Sequence, residues 1–271
     1  MQALAAFGLA ARRAVRGVLC DIDDTLTTDG RLTAAAYSAL ERLHGAGLRV
    51  VPVTGRSAGW CDHIARMWPV DAVVGENGAF YFRYDHANHV MQRQFADAPE
   101  VRTRHRAALT AIAADILAAV PGAAIAADQH YRETDLAIDF CEDVPRLPAA
   151  AVQRIAALMQ SRGLTAKISS IHVNGWFGTY DKLAMTQRLY AECFGVDLDA
   201  ARTEYVFVGD SPNDAPLFGY FPHAVGVANV RDFAGQLAHE PAYVTAAAAG
   251  AGFVELVDFL LQAITHTPTN K

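Results

Sequence analysis

The sequence predicts an α/β protein whose parallel-sheet core is interrupted by an inserted α+β unit. Three observations carry this. Residues 15–75 alternate β-branched apolar runs with helically spaced segments, the β-α-β-α-β order of a parallel sheet with right-handed crossovers. The texture then changes to a hairpin signal and long helices in an αββαββ order. After Asp181 the first texture returns. The expected division is a discontinuous core, residues 1–83 and 181–271, around an insert at 84–180.

Val15 to Ile22 is an apolar run ended by acids and threonines, which reads as a buried strand entering a loop. Leu32 to Ala46 has helical spacing, with Leu32, Tyr37, Leu40 and Leu43 as core contacts and Thr33 as N-cap; Gly45 and Gly47 punctuate its end. Leu48 to Thr54 is a second buried strand, Ala58 to Met67 a short helix, and Ala72 to Gly75 a third strand of the same sheet. Asn77-Gly78 signals a turn, with Ala79 to Tyr84 and Val90 to Phe95 as a hairpin. In the insert, Pro99 to Val120 and Pro148 to Arg162 read as helices. Ile125 to Ala127, Leu136 to Cys141, Ala166 to Ser170 and His172 to Trp176 read as strands. Lys182 to Phe194 is helical and stops at Gly195. Tyr205 to Gly209 is a strand, Asn213 to Tyr220 a helix, Val225 to Val227 and Tyr243 to Thr245 short strands, and Phe253 to Ile264 a closing helix.

The 271 residues are 52% hydrophobic, ample for a substantial core, and the formal net charge is −6. Neither a basic excess nor a basic stripe is present, so a nucleic-acid coat is not expected. Cys20, Cys61, Cys141 and Cys193 form no CxxC pair, which points away from a zinc site or a disulfide framework and toward reduced thiols in the cytoplasm. Met1 to Arg13 places its arginines after the apolar stretch, the reverse of a secretion signal; a frayed or helical extension is expected. No apolar run approaches the roughly 20 residues of a membrane span.

Four short segments carry chemistry. Asp21-Ile22-Asp23-Asp24-Thr25 lies at the carboxyl end of the first strand, where open α/β sheets build their sites. Asp21 and Asp23 are two residues apart, so extended backbone presents both on one side. Carboxylates held this close repel, which raises one pKa or recruits a cation; magnesium, which prefers oxygen ligands, suits such a site. Gly209-Asp210-Ser211-Pro212-Asn213-Asp214 ends another strand with two more acids. Val53-Thr54-Gly55-Arg56 closes a strand with a hydroxyl and backbone N–H groups able to hold a phosphate oxygen. Lys182 begins a helix, where a cation opposes the dipole; that placement makes sense if it faces an anion. Each segment alone has an ordinary reading as a solvated turn, an N-cap or a surface lysine.

In this order the four segments resemble the motifs of the haloacid dehalogenase superfamily of phosphohydrolases: DxDxT at Asp21 to Thr25, the Thr54 hydroxyl, Lys182, and GDxxND at Gly209 to Asp214. The resemblance spans essentially the whole chain. It implies a Rossmann-like core with Asp21 as nucleophile and Asp23 as general acid and base. It implies phosphoryl binding by Thr54, Gly55, Lys182 and Asn213. It places Mg²⁺ on Asp21, the Asp23 backbone, Asp210 and Asp214. An insert between Thr54 and Lys182, together with Gly75-Glu76-Asn77-Gly78-Ala79, is similar to the cap of subfamily IIB. That group includes Cof-type, sucrose-phosphate and archaeal phosphoglycolate phosphatases. Lys182-Leu183 departs from the Lys-Gly of many relatives and leans toward the phosphoglycolate and related sugar-phosphate branches.

The implied substrate is a small phosphorylated metabolite, a sugar phosphate or a phosphoglycolate-like acid, with neither nucleic acid nor membrane as partner and a monomer or homodimer as assembly. Arg56, Asn77, His172 and Asn174 are the candidate substrate contacts; Arg56 equally suits a surface salt bridge, and His172 and Asn174 alternate on one strand. His86 and His89 read as exposed turn residues. Trp60, Trp68 and Trp176 read as packing residues. The competing readings are a sugar phosphomutase using the same aspartate chemistry and a binding protein without catalysis.

Overall fold

The computed structural model describes residues 1–265; residues 266–271 of the expected core lie outside the described residues. The chain opens with β1 (Gln2–Ala3), α1 (Leu9–Ala14) and β2 (Gly17–Cys20). A short hairpin, β3 (Thr27–Thr28) and β4 (Arg31–Leu32), leads to α2 (Ala34–Gly45), β5 (Arg49–Pro52), α3 (Ala58–Met67) and β6 (Val73–Gly75). The hairpin β7 (Phe80–Asp85) and β8 (Val90–Phe95) follows. The insert runs α4 (Pro99–Ala119), β9 (Ala124–Ile125), β10 (Leu136–Asp139), α5 (Ala149–Ser161), β11 (Thr165–Ile168) and β12 (His172–Trp176). The chain returns through α6 (Lys182–Leu189), α7 (Leu198–Ala201), β13 (Tyr205–Gly209), α8 (Ala215–Tyr220), β14 (Val225–Gly226), β15 (Tyr243–Val244) and α9 (Ala249–Thr265).

The central sheet has the order β1-β15-β14-β13-β2-β5, with every pairing parallel. Strands β14, β13 and β2 at its centre are buried on both faces, as parallel sheets require. Along β2, Val18 and Cys20 pack with Leu40, Leu43, Phe253 and Leu256 on the face covered by α2 and α9. Leu19, between them, packs with Met185, Leu189, Leu217 and Phe218 on the face covered by α6 and α8. This alternation follows from the two-residue period of a strand. The cap of α2 is the expected one: the Thr33 side chain accepts from Ala36 N at 3.2 Å.

The insert forms its own antiparallel sheet, β11-β12-β10-β9. Leu109, Ile112, Ala113 and Ile116 of α4, and Val152, Ile155, Ala156 and Met159 of α5, are buried in one cluster with Ile138 and Val173 of that sheet. Their three- and four-residue spacing is the apolar stripe of a helix lying on a surface.

Several expectations change. The N-terminus is neither frayed nor wholly helical. Gln2 and Ala3 pair with Tyr243 and Val244, and Leu4 and Phe7 are buried, Phe7 stacking on His223 and Tyr243 at 4.8 Å. Val73–Gly75 touches the parallel sheet only through a bridge from Val53 to Val74, and otherwise pairs antiparallel with β7. Strands β7 and β8 run on through residue 95, so a boundary at 84 would cut a hairpin; Phe80 and Phe82 belong to the core cluster and Phe95 packs against it. Leu32 and Tyr37 are only partly buried. Trp60 is 43% exposed, because it lies over the Arg56 guanidinium rather than in a core. Trp176 is buried, while His86 and His89 are exposed as expected.

Candidate active site

Strand register brings the motif segments together. Cys20 is level with Val208 of β13 on one side and Pro52 of β5 on the other. The next residues, Asp21, Gly209-Asp210 and Val53-Thr54, therefore leave three adjacent strands at the same carboxyl edge. Neighbouring strands lie about 4.8 Å apart, so the three loops crowd one small volume. Asp21 N still donates to Val208 O at 2.9 Å, which fixes the start of its loop.

Lys182 enters from the first turn of α6. It is buried, and its Nζ donates to Asp21 Oδ1 at 2.7 Å and to Asp214 Oδ1 at 2.8 Å. Burial opposes its charge, but the two carboxylates outweigh burial and hold its pKa above the ordinary lysine value. Asp181 caps the same helix by accepting from Ala184 N at 2.7 Å. The second oxygen of Asp214 accepts from Asp210 N at 3.0 Å, and a Cβ on Gly209 would stand 2.3 Å from that oxygen, so only glycine fits there.

Asp21, Asp210 and Asp214 place one oxygen each within 4.8 Å of one another, all buried. Among the described residues Asp210 accepts hydrogen bonds only from neutral donors, Thr25 Oγ1 at 3.4 Å and Asn229 Nδ2 at 3.3 Å. Burial, then the neighbouring Asp214 and Asp21, push its pKa well above the usual carboxylate range. Burial likewise pushes Asp21 up to about 8 despite Lys182, with Asp214 and Asp23 adding to the rise. A cluster of three carboxylates in contact with one lysine is short of positive charge. This donor set suits a hard divalent cation with oxygen ligands.

The Asp23 side chain is not in that cluster. It turns to Arg56, accepting from Nε at 3.0 Å and Nη2 at 2.7 Å. Arg56 is buried rather than part of a surface salt bridge, and the same Nη2 donates to Glu142 Oε1 of the insert at 2.6 Å. Thr54 Oγ1 accepts from Arg56 N at 3.1 Å, a bond that leaves the hydroxyl proton for another acceptor. Asn77 sits beneath this turn: its N donates to Thr54 O at 3.1 Å, and its buried Nδ2 has no partner among the described residues. Asn213 Oδ1 accepts from Ser211 Oγ at 2.8 Å.

Glu76, Asn77 and Gly78 have φ of 41°, 55° and 102°, a left-handed run that costs energy at the two non-glycine positions. Packing explains it. A Cβ on Gly78 would stand 2.0 Å from Asp181 O, so this turn wedges between the Thr54 loop and the start of α6. Glu76 Oε1 accepts from Ala58 N at 3.0 Å and Glu133 N at 2.9 Å, and Oε2 from Thr134 N at 2.7 Å and the Thr134 hydroxyl. Burial, then Asp135, push this carboxyl up to about 7, with Arg132 opposing. Arg132 is itself buried; it binds Asp128 and Asp135 and donates to Gly55 O at 2.9 Å. Asn174 joins this junction, giving Nδ2 to Asp135 Oδ2 at 2.9 Å, instead of facing the acid cluster. His172 lies elsewhere on β12, with Nε2 at 2.8 Å from Glu142 Oε2.

A cleft of about 560 Å³ opens onto Asp210 and Asn229, walled by Asp24, Asp29 and Asp232 of the core and by Arg146 and Ser170 of the insert. Sequence reasoning missed Asn229, Glu142 and the Arg132 junction. Asn229 follows β14 at the same sheet edge as Asp21 and Asp210, a position that could have marked it. Glu142 and Arg132 carry no comparable signal, because their neighbours lie 86 and 77 residues away.

The fold and the acid cluster define an α/β protein with a cation-ready site and an inserted α+β unit. The description of haloacid dehalogenase-like hydrolases matches residues 18–112. A phosphoglycolate phosphatase of Haloarcula marismortui is 28% identical over 243 residues, 89% of this chain and 95% of that protein. In fold, the Thermoplasma acidophilum protein 0175 has a TM-score of 0.66 at 17% identity, covering 91% of this chain and 98% of its own. The sucrose-phosphatase of Synechocystis sp. PCC6803, solved with sucrose and phosphate, has a TM-score of 0.61 at 17% identity over the same shares. Residues 18–112 thus resemble the haloacid dehalogenase-like hydrolases, and most of the chain is similar to a phosphoglycolate phosphatase. Among the described residues no helix is long and apolar enough to cross a membrane.

Proposed function

We propose that this phosphatase hydrolyses a small phosphorylated metabolite, a sugar phosphate or a phosphoglycolate-like acid, through an aspartyl-phosphate on Asp21 and with Mg²⁺ in the cytoplasm. The observation that carries the reading is Lys182 bridging Asp21 and Asp214 beside an Asp210 that, among the described residues, has no cation of its own. The phosphoglycolate phosphatase relative supports the acid, and the fold of the sucrose-phosphatase is compatible with the sugar.

In this reading Asp21, Asp210 and the Asp23 backbone hold Mg²⁺, with Asp214 supporting them through its backbone bonds. The ion supplies positive charge that lets an anionic nucleophile approach an anionic phosphate. Lys182, the Thr54 hydroxyl, the Asn77 amide and Asn213 bind the phosphoryl oxygens; catalysis of this transfer is chiefly positioning and charge stabilisation. An Asp21 oxygen attacks phosphorus, the phosphorus–oxygen ester bond breaks, and Asp23 gives the leaving oxygen its proton. Asp23 then takes a proton from water as that water attacks the aspartyl-phosphate, releasing inorganic phosphate and restoring Asp21. To do this, Asp23 must turn from Arg56 to the ester oxygen. The insert excludes water from the first step by lying over the cleft. The packing supports a core that keeps the β7–β8 hairpin and an insert that begins after residue 95.

The test is phosphate release from a panel of phosphorylated metabolites with Mg²⁺ and with EDTA. Release that EDTA abolishes is expected. Isomerisation of a sugar phosphate without free phosphate would replace hydrolysis by phosphoryl transfer, and an inert, metal-replete protein would remove the catalytic reading.

A further inference from the structure

Glu142 has an unusual position for a surface-loop acid. Its backbone is fixed: the buried Asp139 carboxylate accepts from Cys141 N at 2.8 Å, Glu142 N at 2.7 Å and Asp143 N at 2.8 Å. Its side chain is 27% exposed and reaches between two buried groups, Arg56 of the core and His172 of the insert, at 2.6 and 2.8 Å. Trp60 covers the guanidinium face at 4.4 Å and holds it in plane. His172 is 3% exposed, and among the described residues its Nε2 has the Glu142 carboxylate at 2.8 Å but no aligned hydrogen bond, although His172 and Arg56 together hold that carboxyl low. Arg56 and His172 thus form a cradle for a carboxylate, and the Glu142 carboxylate fills it imperfectly.

The cradle lies beside the chemistry. Asp23 and Glu142 both accept from Arg56 Nη2. Glu142 therefore stands one guanidinium away from Asp23, the group that meets the ester oxygen in the reading above. We propose that Glu142 occupies the subsite for a second acidic group of the substrate, and that the carboxylate of a short phosphorylated acid replaces it on Arg56 and His172. This rests on the phosphatase reading above and narrows its substrate class. The displacement breaks no covalent bond: one carboxylate exchanges for another, and the Glu142 side chain swings into the cleft while Asp139 keeps its backbone in place. An internal occupant lowers apparent affinity by the fraction of time it fills the subsite. A neutral substituent does not compete for this place, so removing Glu142 favours the ester with the second charge and leaves the neutral one unaffected.

The experiment compares kcat/KM for 2-phosphoglycolate with kcat/KM for ethyl phosphate, its neutral counterpart, in wild type, Glu142→Ala and Glu142→Gln. The ratio is expected to rise at least about tenfold in both variants. In parallel, calorimetry on the Asp21→Asn background should show 2-phosphoglycolate binding about tenfold tighter when Glu142→Ala is added. Melting curves check that each variant is folded, and the glutamine keeps the side-chain shape if alanine is not. An unmoved or falling ratio, or unchanged binding, overturns the assignment; a fall for sugar phosphates alone would make Glu142 an acceptor of substrate hydroxyls instead. Wild-type turnover of p-nitrophenyl phosphate tests the phosphatase reading separately, so activity there with an unmoved ratio removes the Glu142 assignment alone.

Discussion

Asp210→Asn should change stability with opposite signs in the presence and absence of metal. In the metal-free protein Asp210 is a buried carboxylate whose oxygens, among the described residues, accept only from Thr25 and Asn229, at 3.4 and 3.3 Å. Lys182 does not reach it; that charge is shared by Asp21 and Asp214. Burying an unpaired charge is costly, and an amide of the same shape keeps one of the two hydrogen bonds without the charge. The variant is therefore expected to be more stable than wild type by about 1–2 kcal/mol at pH 7.5 without metal. The sign follows from the raised pKa: a carboxyl that holds its proton longer when folded costs stability as pH rises above its unfolded value of about 3.9. The gap between variant and wild type should thus shrink as pH falls toward that value. With Mg²⁺ at about a hundred times its dissociation constant, the wild type gains about 2.7 kcal/mol, roughly 5–10 °C in a chain of this size. The variant should gain little. Thermal unfolding followed by circular dichroism, with and without Mg²⁺, reads both effects. A variant that keeps the wild-type magnesium shift would refute the role of Asp210 in holding the cation. One that is less stable than wild type without metal would refute the charge argument.

Asp21→Asn should lower turnover by about 10⁴-fold or more while leaving the melting temperature near that of wild type; retained magnesium-dependent activity would remove the covalent route. Lys182→Met leaves Asp21 and Asp214 facing each other, and loss of one partner from a buried pair costs about 3–5 kcal/mol. Urea unfolding should show that loss in EDTA and a smaller one in Mg²⁺. Glu76→Gln should remove a pH dependence of stability. The wild-type carboxyl is pushed from its ordinary 4.5 up to about 7. Its contribution is therefore full below pH 4.5 and disappears as pH rises through 7, and the glutamine should flatten that slope in urea titrations across the window.

Short-range patterns made much of this protein legible in its sequence. Strand β2 and its acid loop are contiguous, so Asp21 and Asp23 could be placed from an apolar run ending in carboxylates. The dipole cost of a lysine at the start of α6 pointed to an anion, and the lysine does meet two of them. The αββαββ insert followed from helix and strand periods, because each element buries one stripe or one face. The N-terminal strand was not legible: two residues have no period, and only pairing with Tyr243 and Val244 makes Gln2–Ala3 a strand. The partner of Asn174 was not legible for a related reason. Its two-residue spacing from His172 gives a shared side of β12, but only the neighbouring Asp135 decides which partner takes the amide.

The sequence by itself determined the fold class, the four motif segments, and the order in which they occur, since these depend on residue type and local period. The tertiary structure alone decided which groups share a charge. Lys182 is 161 residues from Asp21, Asn229 is 19 from Asp210, and Arg56 draws together Asp23 and the distant Glu142. Electrostatic partnership depends on distance in space and on burial, and a linear chain specifies neither until the sheet register and the packing of the insert have fixed them.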